Sequence, residues 1–109
     1  MNTIDKLKNN EYDIFELMNI LDDPNPIVLY NVFMCIANNR IKEKPLIDKL
    51  SSLSIKLNNE DKALGYYKTG HLAMSVLLKL GVDEDEVFPD GLSLFDREAV
   101  WKFYHDNSW

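Results

Sequence analysis

The chain has 109 residues, of which 46% are apolar and 28% charged, a composition typical of one globular domain and too apolar for a disordered chain. Its 18 acidic and 12 basic side chains give a net charge of −6, which repels a phosphate backbone and disfavours direct nucleic-acid binding. A single cysteine, Cys35, excludes an intramolecular disulfide and a thiolate zinc site. With neither a signal peptide nor a membrane-spanning run, the sequence predicts a cytoplasmic protein.

The first periodic segment is "EYDIFELMNIL", which predicts an amphipathic helix of about three turns. Ile14, Leu17, Met18 and Leu21 recur at helical spacing, and Phe15 widens the apolar stripe. The prolines of "DDPNP" end this helix, because proline lacks an amide donor and disfavours helical conformation in the residue before it.

The next segment, "NPIVLYNVFMCIANN", predicts a second helix that is apolar on nearly every side. Asn25 is suited to cap it and Pro26 to open its first turn. From residue 27 to residue 37 only Asn31 is plainly polar, so this helix must be covered on more than one side.

Pro45 opens a third predicted helix after the polar connection "NNRIKEK". Four leucines spaced at three or four residues mark its buried stripe: Leu46, Leu50, Leu53 and Leu57.

A fourth helix is predicted from "NNED" to Leu80, with Gly81 as its C-terminal cap. Its apolar side comprises Ala63, Tyr67, Gly70, Met74 and Leu77. Glycines at 65 and 70 each cost about 1 kcal/mol relative to alanine in a helix. They indicate either a close helix approach or a break after residue 65, and we favour the close approach.

The C-terminal part begins with the acidic loop "VDEDEVFPDGLS", which contains a Pro-Asp-Gly turn. It continues in a last helix that buries Phe95, Ala99, Val100 and Phe103, and Trp109 is expected to tuck back against the domain. No alternating strand pattern persists between turn signals. We therefore predict an all-α fold, a right-handed stack of five to six helices forming one domain over residues 1–109.

The junction "LDDPNPIVLYNVFMCIA" resembles the helix-turn-helix corner of HEAT repeats, in which an Asp-x-x-Pro-x-Val element joins an outer helix to an inner one. Here those positions are Asp23, Pro26 and Val28. The helix pairs recur at an offset of roughly 33 to 35 residues, as stacked helix hairpins do. The second junction, "LNNEDKALGYY", lacks the proline. The resemblance implies a HEAT-like α-α superhelix over about 11–81, capped by a helix over about 93–106.

The segment "ALGYYKTGHLAMSVLLKLG" is similar to small bacterial HEAT-like proteins encoded beside toxins. This resemblance implies an immunity protein that neutralises a toxin, with a basic nuclease domain as the expected partner. The alternative is a HEAT-like adaptor or regulatory subunit, and a small helical enzyme or ligand-binding module comes third.

The candidate partner-binding residues are chosen for charge and aromatic surface. Tyr66 and Tyr67 are predicted to point about 100° apart on a helix, so that one faces outward. Trp101 lies off the buried stripe of the last helix. A solvated acidic loop and partly buried aromatics are the simpler interpretations. The predicted site comprises Asp83, Glu84, Asp85, Glu86, Asp90, Tyr66 and Trp101.

No catalytic or metal-binding motif accompanies these residues. The acidic run lacks the alternating ligand spacing of an EF-hand loop, and His71 and His105 are isolated from one another along the chain. His71 is expected to be packed or hydrogen-bonded. We therefore predict a protein that is not an enzyme, has no metal or cofactor, and contacts neither nucleic acid nor a membrane.

Overall fold

The computed structural model describes residues 3–58, 60–65 and 67–109, which form seven helices and one two-stranded hairpin. The chain is mostly helical, as predicted, although two short helices, the first and the sixth, were not expected separately. In chain order the elements are α1 (Thr3–Lys8), α2 (Ile14–Ile20), α3 (Pro26–Asn38), α4 (Lys44–Leu53), β1 (Lys62–Leu64), β2 (Tyr67–Lys68), α5 (Thr69–Lys79), α6 (Glu84–Val87) and α7 (Leu94–Asp106).

The corner between α2 and α3 forms as the sequence predicts. Asn25 accepts a hydrogen bond from the backbone N–H of Ile27 at 2.9 Å and so caps α3. Asp23 accepts one from the backbone N–H of Asn25 at 2.8 Å, which fixes the turn before the cap. Pro26 is the first residue of α3, where its missing N–H leaves no bond unmade.

Helix α3 is covered on several sides, which confirms the expectation from its apolar sequence. α1, α2, α5 and β1 all pack against it. Its buried side chains are Leu29, Val32, Phe33, Cys35, Ile36 and Ala37.

Helix α4 includes Pro45 in its first turn and buries the predicted stripe through Leu46, Leu50 and Leu53. Leu57 lies beyond the end of the helix and is half-buried.

A β-hairpin interrupts the predicted fourth helix, so that prediction was wrong in its first part. Strands β1 and β2 pair antiparallel, and Ala63 and Tyr67 lie in strands rather than on a helix face. Gly65, in the turn between them, has φ +59°, a backbone conformation that glycine adopts without steric cost. The structure therefore shows the break after residue 65, and the close helix approach that we favoured is wrong at this glycine; the helix itself begins only at Thr69.

Gly70 marks a close approach, as expected, but of a loop rather than of another helix. A Cβ atom placed there would lie 2.6 Å from the carbonyl oxygen of Ser54 and 2.9 Å from that of Lys56. The backbone N–H of Gly70 donates to the same Lys56 oxygen at 2.9 Å, and that of Thr69 donates to Asp61 at 2.6 Å. Loop carbonyls thus satisfy the first amides of α5, and only glycine leaves room for them.

Helix α5 is the centre of the core, because α3, α4 and α7 all pack against it. Every residue from 69 to 77 is buried. The helix ends before Gly81, whose φ of +91° confirms the predicted C-terminal cap.

Helix α7 buries Val100 and Phe103, while Ala99 is half-buried. Phe95, predicted to be in the core, is 71% exposed, so that part of the stripe was wrong. The reason is that Asp96, rather than Phe95, is directed at α5, where its carboxylate lies 2.8 Å from Nε2 of His71. Phe15 of α2, also expected in the apolar stripe, is 73% exposed, whereas Leu17 is buried.

The C-terminus folds back onto the domain as predicted. Trp109 donates from Nε1 to the Tyr104 carbonyl at 2.8 Å and packs edge-on against Phe103. Tyr30 of α3 donates from its hydroxyl to the Asn107 side-chain oxygen at 2.9 Å, which ties the end of α7 to the core.

Candidate functional site

The net charge of the protein is confined to its C-terminal quarter. Residues 83–109 carry eight carboxylates and two cationic side chains, a net charge of −6, whereas residues 1–82 carry ten of each sign. One end of the chain is thus strongly acidic and the remainder is electrically balanced. An uneven distribution of this kind directs a basic partner toward one face.

The predicted acidic residues, Asp83, Glu84, Asp85, Glu86 and Asp90, are all exposed, and we call them the acidic segment. The first four lie at and within the single turn of α6, where the predicted loop closes through backbone bonds from residues 86 and 87 to the Asp83 carbonyl. Within the described chain, none of the five carboxylates has a Lys or Arg partner within 4.0 Å. Their charges are therefore uncompensated by the protein itself.

Phe88 connects the acidic segment to α7. It is buried after α6, with the guanidinium of Arg97 lying 5.0 Å from its ring centre. Trp101 meets the same ring edge-on, at 6.0 Å between ring centroids. The structure thus places Trp101 beside the acidic segment, as a half-buried side chain with the His105 ring stacked on it at 5.8 Å.

Arg97 also lines a cavity of about 280 Å³ between α6 and α7. Glu84, Asp85 and Asp90 contribute to the same cavity, so one cation lies among three carboxylates without forming an ion pair with any of them. A short-range contact to a partner's Lys or Arg therefore competes with no internal salt bridge.

Tyr66 lies outside the described residues, and its place in the site stays a prediction. Its neighbour Tyr67 belongs to β2 and packs edge-on against Phe103 at 5.3 Å and against His71 at 6.4 Å. Tyr67 therefore lies in a strand, and the prediction that it lies on a helix was wrong.

His71, Asp96 and Ser93 form a hydrogen-bonded chain that superficially resembles a hydrolase triad. Nδ1 of His71 accepts from the backbone N–H of Lys68 at 3.0 Å, so Nε2 donates to Asp96 at 2.8 Å. Ser93 donates to the other Asp96 oxygen at 2.8 Å and accepts from the Asp96 backbone N–H at 3.0 Å.

The order in which these three side chains are hydrogen-bonded determines what chemistry they can perform. In a catalytic triad the imidazole lies between the serine and the carboxylate and takes the serine proton. Here the carboxylate lies between the other two, so the Ser93 hydroxyl donates to the weakly basic Asp96 carboxylate and not to the imidazole. His71 is 1% exposed, and the three residues fasten the start of α7 to α5, which confirms a packed, hydrogen-bonded histidine.

The described residues contain no candidate metal-binding site. They contain no group of three or more His, Cys, Asp or Glu side chains arranged to hold an ion. His105, the second histidine, stacks on Trp101 and lies edge-on to Tyr104.

The pKa of Tyr12 is clearly shifted from its ordinary value. Partial burial, and then the neighbouring Cys35 thiol, raise the pKa of this phenol to about 12. Cys35 is itself buried, with its sulfur 3.9 Å from the Leu7 carbonyl oxygen. The Tyr12 hydroxyl donates to the Asn10 side-chain oxygen at 3.3 Å.

A larger, mostly apolar cavity of about 500 Å³ opens at the start of α3. The side chains around it include no charged group, and its polar members already have partners, since Tyr30 donates to Asn107 and Asn31 donates to the Ile27 carbonyl. Its lining residues are Pro26, Ile27, Tyr30, Asn31, Ala63 and Gly65. Without a free polar group to orient a ligand, it is a weaker candidate site than the acidic end.

Sequence reasoning missed two further exposed residues of the acidic end, Leu94 and Phe95, which we call the apolar pair. They are 69% and 71% exposed at the start of α7. No local signal identifies them, because the rotation of α7 that exposes both side chains depends on the contact between Asp96 and His71, 25 residues apart in the chain.

No protein-family model, curated protein sequence or solved structure matches this chain. No helix of the described residues has the length and apolar content to cross a bilayer. Fold and site together define a small, mostly helical protein with an acidic segment whose five carboxylates form no ion pair within the described residues.

Proposed function

We propose that this protein binds a basic protein partner through the acidic segment, and that it acts as an immunity protein that neutralises a toxin. The observation that carries the proposal is the confinement of the whole net charge of −6 to residues 83–109, with five exposed carboxylates left unpaired. Such a surface accelerates encounter with a basic partner and rejects acidic ones. Trp101 and Tyr66 complete the proposed contact residues.

Occlusion of an active site is the proposed mechanism. A nuclease domain holds its substrate by Lys and Arg contacts to phosphates. An acidic protein face competes for those same cations, so its binding blocks access of the nucleic acid without any chemical step. The partner is accordingly proposed to be a basic nuclease toxin, met in the cytoplasm.

The HEAT-like superhelix belongs to the same proposal, and the packing of the helices supports it. α2 packs against α3, and α4 packs against α5, as two successive helix pairs. The first helices of the pairs, α2 and α4, also contact each other, and so do the second helices, α3 and α5. Two stacked helix hairpins have this pattern of contacts. The β-hairpin is an insertion between the helices of the second pair.

The test begins with affinity capture from the native host at about 50 mM and about 300 mM salt, which span weak and strong screening. Captured proteins are identified and then produced in cells with and without this chain. We expect a basic protein that is lost at high salt, is toxic when produced alone, and is harmless when produced together with this chain.

The neutralised variant, with Asp83→Asn, Glu84→Gln, Asp85→Asn and Glu86→Gln, is expected to lose both capture and protection. Its matched control changes four exposed carboxylates of the balanced part, by Glu11→Gln, Glu43→Gln, Asp48→Asn and Glu60→Gln. Equal capture by both variants would refute the acidic segment as the binding face. A harmless partner held at both salt concentrations would instead support the adaptor function, carried by the exposed apolar pair.

A further inference from the structure

The apolar pair is exposed because of a specific polar constraint. Ser93 caps α7 through the backbone N–H of Asp96, and the Asp96 carboxylate is held by His71 at 2.8 Å. These bonds fix the rotation of the first turn of α7. With Asp96 directed at α5, Leu94 and Phe95 face away from the core, since successive helical side chains diverge by about 100°.

The apolar pair also lies next to the uncompensated charge. Leu94 is three residues before Arg97 and seven before Trp101, so these three share one side of α7. Arg97 and Trp101 both touch the Phe88 ring, which directly follows α6. Leu94 is therefore on the side of α7 whose Arg97 and Trp101 contact Phe88 beside the acidic segment, and Phe95 adjoins it in the same turn. Exposed Phe15 and Ile55 instead belong to the electrically balanced part of the chain.

The surrounding charge selects the occupant. A second copy of this chain would bring another region of net charge −6 against the first, and nucleic acid would bring phosphates, so both are repelled. A protein segment with apolar side chains flanked by Lys and Arg satisfies both parts of the surface. Apolar side chains at the centre and opposite charges at the rim are the usual arrangement of protein interfaces.

We propose that Leu94 and Phe95 are the apolar anchor of a docking surface for a basic amphipathic segment of the partner, with the acidic segment as its rim. This inference rests on the proposed function and assigns different roles to the charged and the apolar residues of the surface. Rim carboxylates set the association rate and its salt dependence, while the anchor sets the dissociation rate.

The test uses two synthetic probes of equal positive charge, each about 18 residues long, or five helical turns. One is a helical peptide of Leu and Lys with a single apolar face, and the other is a peptide of Ser and Lys. Fluorescence anisotropy gives Kd, and stopped flow gives both rate constants, at about 50 mM and about 300 mM salt. The proteins are the wild type, the neutralised variant, and the double variant Leu94→Ser/Phe95→Ser.

Phe15→Ser/Ile55→Ser is the matched control, because these side chains are 73% and 72% exposed, as exposed as the apolar pair, but lie in the balanced part. We expect the anchor variant to bind the Leu/Lys peptide about tenfold or more weakly, through faster dissociation, with an unchanged salt dependence. Its affinity for the Ser/Lys peptide should stay at the wild-type value. The control should match the wild type with both probes.

Wild-type affinity of the anchor variant for the Leu/Lys peptide would overturn the anchor while leaving the electrostatic part of the proposed function intact. Unchanged binding by the neutralised variant would refute the proposed function and the basic character of the occupant. Concentration-dependent self-association that the anchor variant abolishes would assign the apolar pair to a second copy and overturn the inference. Unchanged circular dichroism of the variants establishes that each is folded.

Discussion

Helices α5 and α7 pack against each other, yet their side chains have opposite environments. α5 has eleven residues and buries all nine from 69 to 77, whereas α7 has thirteen and buries only Val100 and Phe103. α5 has no charged residue before Lys79, while charged residues occur throughout α7. Position explains the difference, because α5 is enclosed by four helices, α3, α4, α6 and α7, and α7 closes the domain from one side.

This difference in burial predicts that stability and partner binding depend on different helices. Substitution in α5 disturbs packing on several sides at once, so its residues are constrained by their neighbours. α7 needs only one face for packing and exposes the other, with the large apolar side chains of Leu94 and Phe95 left in solvent. Stability should therefore be sensitive to α5 and nearly indifferent to the outer face of α7, whereas partner binding should show the reverse.

The largest expected effect compares one residue type in the two helices. Leu72 of α5 is fully buried, so Leu72→Ala should lower the free energy of unfolding by about 2–5 kcal/mol through lost burial and a residual cavity. Leu94 of α7 is 69% exposed, and Leu94→Ala should change it by about 0.5 kcal/mol or less. Urea denaturation measures both. Similar losses at the two positions would contradict the comparison.

A smaller but sign-specific effect is expected at Gly70. Glycine to alanine in an exposed helix stabilises by about 1 kcal/mol, but here we expect a destabilisation of about 1–3 kcal/mol. The added methyl group would collide with the backbone carbonyls of Ser54 and Lys56, and also with the Leu57 side chain at 2.8 Å. Leu57→Ala should not rescue the variant, because the carbonyl contacts remain. A gain in stability, or a full rescue, would show that the approach of the loop is not tight.

The elements of the fold that were predicted correctly are those with local causes. Asn25 and Pro26 start α3, Pro45 starts α4 and Gly81 ends α5 because each acts on its own backbone. The buried stripe of α4 follows in the same way from leucine spacing, since a helix with one apolar face has one orientation that buries it.

The hairpin and the rotation of α7 depend on distant contacts. Strands of three and two residues are too short to show an alternating pattern. The sequence around Gly65 was also compatible with a helix, so it did not identify the turn. In α7, the apolar spacing allowed Phe95 to face inward. The contact that prevents this joins Asp96 to His71, 25 residues earlier in the chain, and no local pattern reveals it.

Of the candidate site, the sequence pointed to the charged residues but not to the apolar pair. Acidic residues are exposed wherever they lack a partner, so composition alone located Asp83 to Glu86. The apolar pair was missed because exposure of a large apolar side chain follows from the rotation of its helix. Trp101 is half-buried against Phe88, and that contact depends on how α6 packs, which no local pattern reveals.

The cap of α7 should have a moderate effect. Ser93→Ala removes the acceptor for the Asp96 backbone N–H and one donor to its carboxylate, so it should destabilise by about 1 kcal/mol. Ser52→Ala is the control, because that exposed hydroxyl donates only to the Lys49 carbonyl within α4. Urea denaturation should show little change for the control. An equal loss of stability in both variants would show that the Ser93 cap has no special role in orienting the apolar pair.

The smallest expected effect has the opposite sign. The carboxylates of the acidic segment repel one another and form no ion pair within the described residues, so the neutralised variant should have a slightly higher Tm than the wild type in about 20 mM salt. The difference should shrink in about 300 mM salt, where the charges are screened. The four-residue control in the balanced part should show no such rise, since it includes Asp48, which is paired with Lys44.

A fall in Tm for the neutralised variant would mean that the carboxylates stabilise the fold, and their retention would need no partner to explain it. A rise means that the protein keeps charges that weaken it, beside two apolar side chains that its core does not use. Stability alone does not account for such a surface, whereas a bound partner that supplies cations and apolar contacts does.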